Sequence, residues 1–443
     1  MIKIENAVPR NPDFRFREPV SLSVEDGEHV AFVGPNGGGK SLLVWMMLGH
    51  YPLLKGEASY CENVRFIAFR DSYGAADTGY YLQQRWNSQD RDEASPLILL
   101  SSGELRKYHI NKALSANPRL LVIDKPFIGL DVAAREQFGS LLAELAAKGK
   151  VQIVLILARM SEIPDFITHV VPVAGMVCGA KVRREHYRES APENPVVGVL
   201  NPPEYIDGAA FFKSSNVGLA SDANDKVIEM HDVTIRYGKR VILNKLSWTV
   251  RRGEKWALLG PNGSGKSTLL SLICADNPQS YSCNISLFGS RRGSGESIWD
   301  IKKRIGYVSP EMHRAYSENI PAIKIVASGL YDSVGLYVQP KPEQYTVCDW
   351  WMNVFGIRDL RDRNFMSLSD GEQRLVLLTR AFVKDPELLI LDEPMHGLDG
   401  HNYLLVSAII ESFCRRPDKT LIIVTHYIEE LPEYVTKRLT LSL

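Results

Sequence analysis

Two glycine-rich stretches contain the residues best suited to binding phosphate. Residues 34–41 read GPNGGGKS, and 226 positions later residues 260–267 read GPNGSGKS. Glycines allow backbone N–H groups to approach phosphate oxygens, a lysine adds positive charge, and a serine hydroxyl can bind Mg²⁺. Each stretch follows an apolar run, at 29–33 or 255–259, and precedes a segment with helical spacing. This order of strand, loop and helix predicts two phosphate-binding loops.

The two loops supply matching sets of candidate nucleotide ligands. Lys40 and Lys266 are predicted to neutralise the β- and γ-phosphates, and Ser41 and Ser267 to bind Mg²⁺. The candidate residues are Gly34, Pro35, Asn36, Gly37, Gly38, Gly39, Lys40 and Ser41 in the first loop, and Gly260, Pro261, Asn262, Gly263, Ser264, Gly265, Lys266, Ser267 and Thr268 in the second.

A carboxylate follows a short apolar run in each half of the chain. The runs are LLVID at 120–124 and LLILD at 388–392, and continuous apolar residues of this length are typical of a parallel strand buried on both faces. Asp124 and Asp392 then lie at the carboxyl edge of the sheet, where open α/β sheets bind their ligands. We expect both carboxylates to hold Mg²⁺ through water.

The next residue differs between the halves. Glu393 follows Asp392 and is suited to polarising an attacking water, whereas Lys125 follows Asp124. A protonated lysine has no lone pair to offer, so it cannot act as a general base near neutral pH. The sequence therefore predicts a catalytic base in the second half alone.

A serine–glycine motif precedes each of these strands at a fixed distance. LSSGE occupies 100–104 and LSDGE occupies 368–372, and in both halves 21 residues separate the motif glycine from the strand aspartate. Each motif can cap the following helix, contact phosphate, or do both. The candidate contacts are Ser101, Ser102, Gly103, Ser369, Asp370 and Gly371.

The spacing of the motifs defines two unequal repeats. The offset between halves is 226 residues at the phosphate loops and 268 at the later motifs, so the first half is shorter in between. We predict a first domain at 1–185 with a shortened helical lobe, a Pro-, Ser- and Asn-rich linker at 186–225, and a second domain at 226–443.

Composition restricts the partners and the compartment. The 443 residues include 52 Lys plus Arg and 52 Asp plus Glu, which argues against nucleic acid as a partner. The six cysteines have no metal-ligand spacing and are expected to be reduced thiols. The N-terminal residues contain no apolar signal core, and the apolar runs are too short to span a membrane, so we expect a soluble cytoplasmic protein.

Together, the loops, the LSxGE motifs, the acidic strands and the GLD turns resemble the nucleotide-binding domains of the ABC superfamily over nearly the whole chain. The resemblance implies an α/β fold with two P-loop NTPase domains. Each domain is expected to have a mainly parallel sheet with flanking helices, an antiparallel β subdomain and a helical lobe. It further implies that the two cassettes pair head to tail, with each ATP between the loop of one and the LSxGE motif of the other.

The resemblance also implies two unequal composite sites. The complete one would combine the second loop, Asp392, the base Glu393 and His426 with Ser101 and Gly103. In the family a histidine at the position of His426 contacts the γ-phosphate and orients the attacking water. The impaired one would combine the first loop and Asp124 with Ser369 and Gly371. Its base and histidine positions are Lys125 and Arg159, so it is expected to hold ATP with little turnover.

Two further family positions are less regular. Tyr237 is similar to the aromatic residue that stacks on adenine, although a buried tyrosine at a strand end is the alternative. The family's metal-sensing glutamine is replaced by Ser309, Pro310 and Glu311 in the second half and by Arg70 or Asp71 in the first. Glu311 is a candidate metal-proximal oxygen in its place.

These features leave three functional hypotheses. In the first, an Mg²⁺-dependent ATPase lies at the inner face of the membrane and drives or regulates permease subunits. The stretch 286–313 is similar to a tandem cassette protein associated with molybdate transport. The second hypothesis is a soluble ATP-dependent switch acting on a cytosolic machine such as the ribosome. The third is a nucleotide-bound regulator with negligible turnover.

Overall fold

A computed structural model describes residues 2–59, 63–69, 102–188, 225–238, 240–316, 318–426, 428 and 431–442. The protein divides into two compact units. Within the described ranges, the first unit contains residues 2–59, 63–69 and 102–188 together with His396–Tyr403, and the second contains the other residues from 225 onward. Most of the predicted linker lies outside the described residues, as does the segment 70–101, which belongs to the stretch where the first half is shortened.

The first unit combines an antiparallel sheet with a mainly parallel one. In the antiparallel sheet, β1 (Ile2–Pro9) lies between β2 (Val20–Val24) and β4 (Leu53–Ser59). The second sheet has the order β10-β8-β3-β7-β6-β5, with β9 pairing β8. Its strands are β3 (Val30–Val33), β5 (Val64–Ala68), β6 (Leu120–Asp124), β7 (Gln152–Leu157), β8 (His169–Ala174), β9 (Val177–Cys178) and β10 (Val182–Arg183).

Helices cover this parallel sheet because its central strands are apolar on both faces. All four residues of β3 are buried, and β3 pairs in parallel with β7 and β8. The helices of the unit are α1 (Lys40–Met47), α2 (Ser102–Leu114) and α3 (Val132–Ala147). The Asp131 carboxylate caps α3 by accepting a hydrogen bond from the Ala134 N–H at 2.8 Å. Two apolar clusters result, one on each face of the sheet.

The second unit repeats this plan. Its antiparallel sheet has the order β12-β11-β14-β15, and its parallel sheet has the order β16-β17-β18-β13-β19. The antiparallel strands are β11 (Lys226–Tyr237), β12 (Arg240–Arg251), β14 (Asn284–Leu287) and β15 (Ser290–Arg291). The parallel strands are β13 (Lys255–Leu259), β16 (Ile305–Val308), β17 (Leu388–Asp392), β18 (Thr420–Val424) and β19 (Lys437–Thr440).

The helices of the second unit include a separate lobe. They are α4 (Lys266–Ile273), α5 (Ile298–Lys302), α6 (Pro310–Ala315), α7 (Ala322–Ser328), α8 (Pro342–Val354), α9 (Asp370–Phe382) and, from Leu404 onward, α10 (Gly400–Cys414). Helix α7 packs against both α8 and α9. The predicted α/β fold, with parallel sheets, antiparallel subdomains and this helical lobe, is confirmed. The shortened helical lobe predicted for the first half lies outside the described residues.

Two sequence expectations concern membranes and thiols. Among the described residues, no helix is both long enough and apolar enough to cross a membrane. The cysteines that the structure describes, Cys178, Cys274, Cys283, Cys348 and Cys414, are free thiols. Burial raises the pKa of the Cys348 thiol to about 12, so this thiol stays protonated at neutral pH.

Two candidate nucleotide-binding sites

The first phosphate loop connects β3 to α1. Gly39 caps α1 with a φ of +101°, a conformation that glycine adopts without strain. A Cβ atom on Gly34 would lie 2.0 Å from the Val173 carbonyl oxygen, so only glycine allows the loop to pack against β8 at this point. The loop therefore presents its backbone and the N-terminus of α1 to an anion, as the motif predicts.

Lys40 lies folded within this loop. Its ammonium donates hydrogen bonds to the Gly34 and Pro35 carbonyl oxygens at 2.6 and 2.7 Å, and the side chain is 7% exposed. Burial lowers the pKa of Lys40 to about 8; the Asp124 carboxylate opposes this shift, and the positive charge of Lys125 adds to it. A bound polyphosphate would add further negative charge beside this buried ammonium and raise its pKa again.

Ser41 and Asp124 form a pair of oxygen ligands beside Lys40. The Ser41 hydroxyl donates a hydrogen bond to the Asp124 carboxylate at 2.9 Å, which brings the first turn of α1 against the end of β6. Hydroxyl and carboxylate oxygens are the hard ligands that Mg²⁺ prefers. The two residues therefore fit the predicted metal role.

The two predicted cations of the first site follow adjacent strands, but only Lys125 lies at the position of a catalytic residue of the second site. The pairing of Asp124 with Ile156 and of Asp392 with Val424 puts Ala158 at the position of His426, so the expectation for Arg159 is wrong by one residue. Lys125 follows β6 with a φ of +54°, and its N–H donates to the Ile156 carbonyl at 3.0 Å. Arg159 follows β7, lies 3.6 Å from the Glu162 carboxylate, and has its guanidinium 5.4 Å from the centre of the Tyr403 ring. The parallel pairing of β6 and β7 brings both cations to the edge where the loop begins.

The segment His396–Tyr403 of this unit contacts the first loop. The Asp399 carboxylate accepts a hydrogen bond from the Asn36 N–H at 2.9 Å, and the Asn36 side-chain amide donates to the Gly397 carbonyl at 2.6 Å. Neither contact was predicted from the sequence. Their only signal was the GLD turn at 397–399, because Asn36 and Asp399 are 363 positions apart in the chain.

The second loop has the same local geometry. It connects β13 to α4, and its capping glycine, Gly265, has a φ of +95°. The Lys266 ammonium donates to the Gly260 and Pro261 carbonyl oxygens at 2.6 and 2.9 Å. A Cβ atom on Gly260 would lie 2.5 Å from the Leu441 carbonyl oxygen. Both predicted loops are thus folded in the same way.

Carboxylates crowd the end of β17 in the second unit. Asp392 is buried, and burial together with the negative charges of Glu311 and Glu393 raises its pKa well above the usual range. A divalent cation would relieve this repulsion, so Asp392 fits the predicted Mg²⁺ role. No group of three or more His, Cys, Asp or Glu among the described residues could hold a metal by itself. Nucleotide phosphates and water would therefore have to complete the coordination.

Glu393 and His426 are in direct contact. The Glu393 carboxylate lies 2.9 Å from His426 Nε2, and these side chains are 20% and 7% exposed. Glu393 has a φ of +49°, and its N–H donates to the Val424 carbonyl at 2.9 Å. Its backbone therefore matches that of Lys125. The two predicted catalytic groups meet at the ends of the paired strands β17 and β18.

Arg374 supports this turn from α9. Its guanidinium donates hydrogen bonds to the carbonyl oxygens of Asp392 at 3.2 Å and Glu393 at 2.5 Å. Arg374 is 2% exposed, so its hydrogen bonds form in a protected environment. The role of this residue was not predicted from the sequence, although its position three residues after the motif glycine, Gly371, was a signal for it.

Ser369 caps α9, as the structural alternative for its motif predicts. Its hydroxyl accepts a hydrogen bond from the Glu372 N–H at 3.4 Å, and the Glu372 carboxylate accepts one from the Ser369 N–H at 2.7 Å. This reciprocal pair is a capping box. Asp370 and Gly371 form the first turn of α9. Ser101 lies outside the described residues, and for Ser102 and Gly103 only their position at the start of α2 is described.

Tyr237 ends β11 and is partly buried. Its hydroxyl accepts a hydrogen bond from the Asn277 side-chain amide at 3.1 Å, and its ring packs against the apolar core of the second unit. Asn277 also donates to the Ser271 hydroxyl at 3.3 Å. The packing agrees with the alternative of a buried tyrosine at a strand end, and the stacking of Tyr237 on adenine stays a prediction.

A short capped helix occupies the position of the family's metal-sensing glutamine. Ser309 follows β16 and caps α6 by accepting a hydrogen bond from the Met312 N–H at 3.1 Å. Glu311 lies in the first turn of α6, and its charge acts on Asp392. On the same helix, His313 Nε2 lies 3.1 Å from the Gln373 side-chain oxygen of α9. The alternatives in the first half, Arg70 and Asp71, lie outside the described residues.

Comparisons with known proteins agree with this architecture. A family model described as ABC transporter matches residues 17–67 and 243–396. The ABC transporter ATP-binding protein ModF of Escherichia coli is 37% identical over 455 residues, which cover 94% of this chain and 92% of that protein. The chain therefore belongs to the ABC transporter ATP-binding family.

Other relatives extend the same comparison. An uncharacterised ABC transporter ATP-binding protein of Schizosaccharomyces pombe is 28% identical over 99% of this chain and 97% of its own length. Among solved structures, cbiO1 of Clostridium perfringens, part of the ABC transporter complex cbiONQ, is 26% identical over 49% of this chain and 85% of that chain, with a TM-score of 0.41.

Proposed function

We propose that this protein is an Mg²⁺-dependent ATPase that hydrolyses ATP at its second site, holds ATP at its first, and energises or regulates a transport system. One observation carries the proposal. The backbones of Glu393 and Lys125 have the same left-handed conformation and the same hydrogen bond to the neighbouring strand, yet a glutamate stands at one position and a lysine at the other.

In the second site, each group has a defined part in the proposed reaction. Lys266 and the loop N–H groups bind the phosphates, Ser267 and Asp392 hold Mg²⁺, and the cation neutralises phosphate charge when bound. Glu393 accepts a proton from the attacking water, and His426 positions the carboxylate and the γ-phosphate. Arg374 fixes the Asp392–Glu393 turn, so that the base keeps its orientation.

In the first site, binding is separated from hydrolysis. The loop, Lys40, Ser41 and Asp124 provide the same phosphate and metal ligands as in the second site. Lys125 and Arg159 add two positive charges, which attract the terminal phosphate but cannot take a proton from water. ATP held here would regulate the second site. The head-to-tail pairing of cassettes, with Ser101 and Gly103 or Ser369 and Gly371 completing the opposite site, belongs to the same proposal.

A matched pair of substitutions tests the assignment of the working site. Phosphate release should fall at least about 100-fold in Glu393→Gln, since a general base contributes that much or more. Lys125→Gln places the same neutral amide at the corresponding position of the first site and should change the rate less than about twofold. The proposal fails if Lys125→Gln abolishes turnover or if Glu393→Gln leaves it intact.

The link to transport comes from the family and from the relationship to ModF. Glu393→Gln protein, loaded with ATP and used for affinity capture from its native cells, should retain permease subunits. Wild-type protein with ADP serves as the control. Recovery of ribosomal proteins would instead support the soluble-switch hypothesis. Capture of neither would favour a regulator, and that hypothesis also predicts negligible ATP turnover by wild-type protein.

A further inference from the structure

The base-binding side of the first site differs from that of the second. Between the start of β1 and the end of α1, the two halves correspond at a constant offset of 226 residues. The structure supports this correspondence at one irregular point in the backbone of β1 and of β11. Asn6 and Asp232 both have a positive φ, and their N–H groups donate to Ser21 and Ser247 hydroxyls, at 2.9 and 3.0 Å. By this count Asn11 corresponds to Tyr237 in the sequence, although β1 ends at Pro9 whereas β11 continues to Tyr237.

Asn11 cannot replace an aromatic ring. Its side-chain oxygen accepts a hydrogen bond from the Asp13 N–H at 3.0 Å and caps the short 3₁₀ turn Pro12–Phe14. The amide is small and polar, and it is engaged in its own turn. The first site thus lacks, at this position, the flat apolar face that a base would stack on.

The two aromatic residues that follow Asn11 are already packed. The rings of Phe14 and Tyr51 are 4.8 Å apart, and Phe16 is 8% exposed. Phe16 and the Met176 sulfur both crowd Gly39, since a Cβ atom there would lie 3.3 and 2.9 Å from them. The Met176 N–H also donates to the Gly38 carbonyl at 3.1 Å. Phe16 and Met176 thus brace the loop at Gly39, and Phe14 and Tyr51 pack on each other.

The phosphate side of the first site has the opposite character. Lys40, Lys125 and Arg159 are three cations, although Arg159 lies 3.6 Å from the Glu162 carboxylate, whereas the corresponding positions in the second unit are Lys266, Glu393 and Tyr427. Charge–phosphate attraction acts equally on every nucleoside triphosphate, because the phosphates are the same whatever the base. Affinity at the first site would then come from the triphosphate.

We infer that the first site binds nucleoside triphosphates with little discrimination between bases, so that ATP, GTP and CTP all occupy it. This inference rests on the proposed function, in which the first site holds nucleotide. It narrows the ligand to a chemical class, a triphosphate with Mg²⁺, and assigns base selection to the second site.

The inference is tested by binding to a full-length Lys266→Ala protein, in which the second loop is disabled. Equilibrium dialysis with radiolabelled ATP, GTP and CTP should give dissociation constants within about threefold of one another. A preference for ATP over CTP above about tenfold would overturn the inference and leave the holding role intact. If a folded Lys266→Ala protein bound none of the three, the proposed holding role itself would fail.

A substitution at Asn11 provides a second test. Asn11→Tyr should raise the ATP-to-CTP affinity ratio of the first site about fivefold, since purines stack better than pyrimidines on an aromatic ring. Asn11→Ala removes the same cap without adding a ring and should leave the ratio unchanged. An unchanged ratio in Asn11→Tyr would show that position 11 does not face the base, and would overturn the inference.

Discussion

The turn after β6 and the turn after β17 have the same backbone and opposite chemistry. Lys125 and Glu393 both adopt a left-handed conformation and donate to the next strand, at 3.0 and 2.9 Å. The register that pairs Asp124 with Ile156 and Asp392 with Val424 puts Ala158 at the position of His426. Two side-chain replacements therefore separate a site suited to hydrolysis from one suited to binding. The comparison indicates that this fold can lose its catalytic side chains and still keep the backbone geometry that binds the nucleotide.

The largest expected difference between the sites concerns the residues after β7 and β18. His426→Ala should lower ATP turnover about 100-fold or more, because Glu393 loses the imidazole 2.9 Å from its carboxylate. The matched position in the first site, Ala158, is already alanine, so the control is its neighbour: Arg159→Ala should alter turnover less than about twofold. Steady-state phosphate release measures both variants. Equal losses in the two would contradict the assignment of unequal roles.

A transplant of the catalytic pair should sharpen the comparison. In a Glu393→Gln background, the double substitution Lys125→Glu with Ala158→His should raise residual turnover about tenfold, since the backbone at Lys125 matches that at Glu393 and Ala158 lies at the position of His426. Each single substitution should give less than half of that gain, because base and histidine act as a unit. Single-turnover hydrolysis measures the rates. No gain in a double variant that still binds ATP would mean that the backbone match is insufficient for activity.

Lys40 predicts a pH dependence of nucleotide binding at the first site. Its pKa in the free protein is lowered to about 8. Bound phosphates raise the pKa again, so binding takes up a proton above pH 8 and weakens as the pH rises. In Lys266→Ala protein, ATP affinity should therefore fall about tenfold between pH 7 and pH 9. Equilibrium dialysis across this range measures the effect.

The control for this prediction is Lys40→Arg. An arginine stays charged throughout the range, so its affinity profile should be nearly flat even if its absolute affinity is lower. If the Lys40 and Lys40→Arg profiles fell in parallel, the pH dependence would belong to another group.

The smallest expected effect concerns the added charge of Lys125. Lys125→Met in the Lys266→Ala background should weaken ATP binding about fivefold and ADP binding less than twofold, since only ATP carries a γ-phosphate beside this position. Competition dialysis gives both constants. An equal loss for ATP and ADP would show that Lys125 acts on the loop as a whole and does not recognise the terminal phosphate.

The sequence was sufficient to predict the loops and the strand-end carboxylates, because local patterns determine them. A glycine-rich turn, a buried apolar run and a capping motif each lie within a dozen residues. The fold class followed from the family that these motifs, in this order, resemble. The contact between Glu393 and His426 was predicted only through the family resemblance, since the two lie on different strands.

Contacts between distant segments could not be predicted in the same way. The hydrogen bonds of Arg374 to the Asp392–Glu393 turn, of Asn36 to Asp399, and of Asn277 to Tyr237 depend on tertiary packing. The helix α6 in place of a metal-sensing loop was also missed. Ser309 followed by Pro310 was its only local sign, because serine caps helices and proline is favoured in their first turn.

The most direct test of the central claim measures how much bound ATP remains unhydrolysed after many cycles of turnover. Wild-type protein is incubated with Mg²⁺ and radiolabelled ATP for many cycles, desalted rapidly and quenched, and the bound ATP and ADP are separated. The account predicts about one intact ATP per chain in wild-type protein and about two in Glu393→Gln. Absence of intact ATP from wild-type protein that still turns over would show that both sites hydrolyse, and would contradict the account.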